Sequence, residues 1–272
     1  MREWKKIFIG FSALVLFFVF SFSLMYYEKN DFEKQYFQIV DVKSSEDYRT
    51  LLNQENILER LKSFNNELKE YEKFIFIEFM PNVVEFIGEW DKPEELANGY
   101  GHKDLTNQTV KIGEKKFLIT PVNCLTLDKT AMNLYSLNIS DGGLFLDEDF
   151  ILKEKELPLI LGSGFQEYYS LGEEIPLLYF SQEWTGVVKG FLEEDQFIKQ
   201  DWTEYSLNNM ILVPSFDSIS DEIDIEFQKL LYYAKTGGYL ILEDKSNYSM
   251  VKKEIKKLSQ EYNLPYELLR GY

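Results

Sequence analysis

The chain has 272 residues, with 46 Asp and Glu against 29 Lys and Arg, one His and one Cys, and a formal charge of −17. Acidity on that scale repels phosphate backbones and excludes nucleic-acid binding by bulk charge, while 22 Phe, 18 Tyr and 4 Trp supply ample apolar matter for a folded core. A lone Cys124 excludes a disulfide framework and a Cys-rich zinc site, and a lone His102 removes most His-based metal and triad constellations.

From Ile7 to Met25 the chain runs 19 residues without a charge. At about 1.5 Å per residue that is a helix of roughly 28 Å, enough to cross the hydrocarbon of a bilayer. Arg2, Lys5 and Lys6 precede the run, and Glu28, Asp31 and Glu33 follow it with only Lys29 among them. The positive-inside rule therefore places the amino terminus in the cytoplasm and residues 28–272 outside the plasma membrane. Trp4 and the Tyr26-Tyr27 pair flank the run as interfacial aromatics. A cleaved signal peptide, with Ser21 and Ser23 as a small-x-small site, is the rival reading; both export the remainder. That remainder carries 26 basic and 45 acidic residues, a charge of −19.

No second stretch approaches the length of a membrane span, so the expectation is a single-pass chain. Residues 1–27 form a short cytoplasmic tail and membrane anchor, and 28–272 an extracytoplasmic domain, as one compact unit or as two lobes. Tyr36–Val42 reads as a strand, and Ser44-Ser45-Glu46-Asp47 as a capping-box-like helix start. Apolar residues from Tyr48 to Leu68 recur at helical spacing, with a phase break near Asn53 to Asn56, giving one long helix or two short ones. Phe74–Met80 reads as one buried strand, with Val83–Ile87 continuing or pairing with it beyond Pro81. Val110–Ile112 and Lys116–Val122 flank Gly113-Glu114 as a hairpin. Leu157–Leu161, Ile175–Phe180 and Gly186–Leu192 are three further strands, and Met210–Val213 a short one. Phe227, Leu230, Leu231 and Ala234 mark a helix face ending at Gly237-Gly238, Tyr239–Leu242 is a strand, and Val251, Ile255, Leu258 and Tyr262 mark a last helix before Pro265. The fold class expected from this order is α+β: a membrane helix, then a mixed α/β ectodomain with split βαβ units.

The chemistry-bearing patterns are few. Gly162-Ser163-Gly164 lacks the Gly-Lys-Ser/Thr of a phosphate loop and the final Gly of a nucleophile elbow. His102 lies in a loop-like stretch, and Cys124, directly after a strand, reads as a small buried apolar residue. Asp141, Asp147, Glu148 and Asp149 cluster around Gly142-Gly143 without the spacing of a calcium loop. Asp217, Asp221, Glu222 and Asp224 read as acidic support for the amino-terminal end of the Phe227 helix. No catalytic, cofactor-binding or metal-binding residue is assigned, and no enzyme or cofactor is expected. Four Ala and four Arg beside 25 Lys fit AT-rich codons, and so a bacterial source.

One block is more specific: Tyr135 to Phe145 (YSLNISDGGLF), Leu157 to Gly162, Leu171-Gly172-Glu173-Glu174-Ile175, and Val187-Val188-Lys189-Gly190-Phe191. It resembles the extracytoplasmic core domain of MacB-like and FtsX-like ABC transporter permeases. Here Gly162 and Gly172 are expected to permit turns at strand ends, and Gly190 a close backbone approach within a sheet. The resemblance implies a first transmembrane helix plus ectodomain that acts by substrate or partner binding and couples to a transmembrane partner or a cytoplasmic ABC ATPase. The later transmembrane helices of such permeases do not follow Tyr272 in this sequence. An independent surface-anchored binding or structural protein is the alternative, and a secreted hydrolase using two carboxylates a third.

Overall fold

The computed structural model describes residues 35–43, 48–102, 104–200, 203–242 and 244–270. The expected anchor over residues 7–27 and the cap-like Ser44–Asp47 lie outside them. Among the described residues no helix is long and apolar enough to cross a membrane.

In chain order the elements are β1 (Gln35–Asp41), α1 (Tyr48–Leu52), α2 (Ile57–Glu70), β2 (Ile75–Ile77), β3 (Phe79–Ile87), β4 (Gln108–Ile112) and β5 (Lys115–Leu127). Then come α3 (Lys129–Tyr135), β6 (Ile139–Gly142), β7 (Ile151–Leu152), β8 (Glu156–Leu161), β9 (Glu174–Tyr179), β10 (Gln182–Leu192), β11 (Phe197–Gln200) and β12 (Thr203–Ser206). The chain continues through β13 (Ile211–Pro214), β14 (Ser218–Ile219), α4 (Ile225–Thr236), β15 (Tyr239–Leu242), α5 (Tyr248–Glu261) and β16 (Tyr266–Arg270).

Four strands from the two ends of the chain form one antiparallel sheet in the order β16-β1-β15-β2. Because β1 pairs antiparallel with both β15 and β16, the segment β15-α5-β16 is a split βαβ unit with β1 inserted. By the same reasoning β1-α1-α2-β2 is a second such unit, split by β15. Two interlocked split units are the β-α-β-β-α-β arrangement of ferredoxin-like sheets, with residues 78–238 inserted between the second and third strands. Alternation along β1 turns Phe37 and Ile39 to one face, where they pack with Leu61, Phe64 and Leu68 of α2 and Val251 and Ile255 of α5. Phe64 stacks on Tyr266 at 5.5 Å and Phe37 on Tyr248 at 4.8 Å, so aromatic pairs lock both helices to that face.

The insertion is built on a barrel. β13-β8-β10-β9-β3-β5 are hydrogen-bonded in that order, and β13 also pairs with β5, which closes the ring. β5 is long enough to bond β4 with its first half and β13 with its last four residues. Strand alternation fills the inside with Val84, Val122, Cys124, Leu159, Leu177, Val188 and Ile211. It sends Leu125, Leu127, Ile160 and Leu212 outward against Ile77 and Ile241 of the four-stranded sheet.

Several expectations change. The Phe74–Met80 run is two strands in different sheets, broken at Glu78, because the Glu78 side chain is buried by cations at the break and the chain crosses between sheets there. Pro81 lies within β3, where β9 pairs only with Glu85 and Phe86, so its missing N–H faces an unpaired edge. The helical stretch from Tyr48 takes the second of its two expected forms, two helices, divided within the expected break by Asn56 in the left-handed region at φ 54°. α3 and β16 are not foreseen by the sequence reading.

Candidate functional site

The two sheets meet at a buried charge cluster. Glu78 is the only residue between β2 and β3, and its side chain is wholly buried. Lys69 of α2 places Nζ 3.1 Å from Oε1, and Lys235 of α4 places Nζ 3.3 Å from Oε2. Ser215, just past β13, donates its hydroxyl to Oε2 at 2.5 Å, and Lys235 donates to the Phe216 carbonyl. Asp217 extends the cluster outward, bridging Lys69 at 3.1 Å and Lys129 at 3.5 Å. Asp128 seals the other side: its N–H donates to the Glu78 carbonyl, and its carboxylate accepts from Ala131 as the cap of α3.

The electrostatics follow from burial and sign. Burial opposes the charge on Lys69, but Glu78 and Asp217 outweigh it and its pKa is raised. Burial wins at Lys235 and lowers its pKa, although Glu78 pulls the other way. Asp128 is pushed up to about 7, first by burial and then by the Glu78 charge. The cluster thus holds one carboxylate that burial and a neighbouring charge push toward its neutral form. Its charged groups line neither groove of the described residues.

Open space lies elsewhere, in a groove of about 800 Å³ on the outer face of β3 and β5. Its walls are Pro81, Val83 and Asn123 of the barrel, Tyr205 of the β11-β12 hairpin, and the turn around Tyr100. The free edge of β3 at Pro81 opens it. Glu85, Glu95 and Glu204 line the groove, and among the described residues no Lys, Arg or His does. The Tyr100 hydroxyl donates to Glu85 at 2.8 Å; burial raises the Glu85 carboxyl, while that hydrogen bond opposes the rise. Such a surface attracts cations and amide donors and repels phosphates and carboxylates.

His102 is exposed, and Cys124 is buried inside the barrel, where burial raises its thiol. Asp141, Asp147 and Glu148 are exposed, while Asp149 is buried, accepts from the Leu146 N–H and pairs with Lys189 at 3.2 Å. Among the described residues no group of three His, Cys, Asp or Glu is placed to hold a metal. Asp224 caps α4 through the Phe227 N–H as expected, but Asp217 joins the Glu78 cluster, because Lys69 and Lys129 lie within reach and the helix start does not. Gly172 turns at φ +76° as expected, and a Cβ on Gly190 would lie 2.6 Å from the Gly143 carbonyl. Gly162 is needed for close approach and not for a turn: its φ is −63°, and a Cβ would lie 2.1 Å from the Leu207 carbonyl. Sequence reading missed Glu78, Lys69 and Lys235 altogether. The one signal was a single acid inside an otherwise apolar strand-like run.

No protein-family model matches the chain, and no curated protein matches it in sequence. Among solved structures, the extracellular domain of the noncanonical ABC-type transporter YknZ from Gram-positive bacteria is similar, at 14% identity, covering 86% of this chain and 100% of that one, with a TM-score of 0.43. The periplasmic region of MacB from Actinobacillus actinomycetemcomitans is similar at 12% identity, covering 87% of this chain and 89% of that one, with a TM-score of 0.42. A permease-protein domain from Porphyromonas gingivalis is similar at 11% identity, covering 73% of this chain and 79% of that one, with a TM-score of 0.35. These three structures are an extracellular domain of an ABC-type transporter, a periplasmic region of MacB and a permease-protein domain.

Proposed function

We propose that the chain is a membrane-tethered, non-catalytic ectodomain of an ABC-permease-like assembly, anchored by residues 7–27 and working by binding and conformational coupling to a separate ATPase. The observation that carries this reading is where the ectodomain's two ends lie. β1 and β16 are antiparallel neighbours with Phe37 opposite Arg270, so the chain enters and leaves the fold side by side. A domain looped out between membrane segments needs that geometry. Only nine residues, 26–34, separate the apolar run from β1, a reach of at most about 30 Å.

β1 is also an inner strand, bonded on both sides. A displacement of the anchor loads two hydrogen-bond ladders at once, and β2 passes it to the barrel through Glu78. The −19 charge of residues 28–272 favours a soluble domain held off an anionic bilayer. The acidic groove gives the ectodomain a face suited to cationic or amide-rich groups.

The test is purification of the tagged full chain from its native membranes in mild detergent. An ABC ATPase subunit, recognised by its Walker sequences, is expected to co-elute in stoichiometric amount and to be lost when residues 1–27 are exchanged for an unrelated anchor. Recovery of the full chain free of any ATPase contradicts the reading.

A further inference from the structure

The groove on the outer face of β3 and β5 has a bias in its hydrogen-bonding groups that follows from strand register. The Gly88 N–H donates to the Leu118 carbonyl and the Asp128 N–H to the Glu78 carbonyl, at the two ends of the β3-β5 ladder. Backbone polarity alternates along an antiparallel strand, so the even-numbered residues of β3 bond to β5 and the odd-numbered ones turn to the other side. On that side β9 reaches only Glu85 and Phe86. Pro81 has no N–H to offer there. The edge at Pro81 and Val83 therefore presents two carbonyls and one N–H, an excess of acceptors, and the missing donor blunts it against simple sheet-to-sheet pairing.

The side chains carry the same bias. The ion pairs among the described residues use none of Glu85, Glu95 and Glu204, the three acids that line the groove. Lys199 lies opposite Glu204 across the β11-β12 hairpin but does not line the groove. The Tyr100 hydroxyl, donating at 2.8 Å, holds the Glu85 carboxylate in place. A volume of about 800 Å³ has room for several side chains, and Pro81 and Val83 give apolar surface on which Lys or Arg stems can lie. A second copy of the chain, acidic like the first, is repelled.

We infer that this groove docks an extended peptide segment bearing Lys or Arg, with its cations paired to Glu85, Glu95 and Glu204 and its backbone N–H groups donating to the Pro81 and Val83 carbonyls. Such docking supplies the binding half of the function proposed above and rests on that reading; no ATPase takes part in its test, so each can fail alone.

The test is fluorescence anisotropy at physiological salt, with the full chain in phosphatidylcholine nanodiscs and a fluorescein-labelled nonapeptide of alternating Arg and Gly. Empty nanodiscs serve as the blank, and saturable binding to the chain is expected. Glu85→Gln, Glu95→Gln and Glu204→Gln together are expected to weaken it about tenfold or more. Glu114→Gln, Glu154→Gln and Glu261→Gln, at three exposed positions outside the groove, remove the same charge and are expected to change it less than about twofold. Asn123→Arg sets a cation on the groove floor and is expected to abolish binding. The same peptide methylated at its backbone nitrogens is expected to bind several-fold more weakly, having lost its N–H donors. Absence of saturable binding, equal losses in the two triple variants, or full affinity of the methylated peptide overturns the proposal; in the last case the groove takes polycations whatever their backbone. Should the groove variants not fold, the methylated peptide on the parent chain decides.

Discussion

Lys235 is 1% exposed and Glu78 not at all, so each depends on the other for its place in the core. Removing one partner strands a buried charge. Lys235→Met is expected to cost about 3–5 kcal/mol of unfolding free energy by urea titration, and Glu78→Leu combined with Lys235→Met to cost less than that single change. A double variant worse than the sum of its parts would show that the pair is not the unit. Asp128 gives a second expectation at this scale. Its folded pKa of about 7 lies above the ordinary 3.8, so between those values the folded chain holds a proton that the unfolded chain has lost. Its contribution to stability therefore falls as pH rises from about 4 to 7, and that slope is expected to flatten in Asp128→Asn when urea midpoints are compared across the window. Apart from the lone acid of an apolar run at Glu78, nothing in the sequence marks these residues. Glu78 reads as an ordinary member of an apolar strand, and Lys235 as a helix-end lysine, because their pairing joins residues far apart in the chain.

Among the elements, what local pattern determines was legible. Alternation and helical spacing gave β1, β15, α4 and α5, since each has a strong apolar face with clear stop signals at Gly237-Gly238 and Pro265. The split βαβ arrangement followed from their order. Barrel closure was not legible, because it rests on β13 pairing with β5 across some ninety residues, and four residues of Ile-Leu-Val-Pro carry no trace of their partner. α3 and β16 were missed because each is short and its apolar residues lack a clear period. The glycine-bearing resemblance block was half explained. Gly142 and Gly190 are paired in register across β6 and β10, and Gly142 sits at φ +79° with a Cβ position 2.3 Å from the Lys189 carbonyl. Gly142→Ala is expected to lower stability by about 2 kcal/mol or more, from strain and from forced separation of the strands. Its neighbour Gly143 has nothing within 4 Å of a Cβ, so Gly143→Ala is expected to change the thermal midpoint little. Equal effects of the two changes would remove the close-approach explanation.

For the whole molecule, what matters is which side of the membrane the fold occupies and how its ends are held. The proposed arrangement, a small basic end inside and an acidic domain outside, draws on the anchor pattern, the charge asymmetry around it and the side-by-side position of Phe37 and Arg270. The sequence alone shows the first two; the third needs the sheet, since nothing in residues 266–270 foretells that they pair with residues 37–41. The most direct measurement is cysteine labelling of the full chain in intact cells with a membrane-impermeant maleimide, comparing Glu114→Cys on the barrel with Lys5→Cys before the apolar run. The account predicts labelling at position 114 in intact cells and at position 5 only after permeabilisation. Labelling at 114 only after permeabilisation would contradict it.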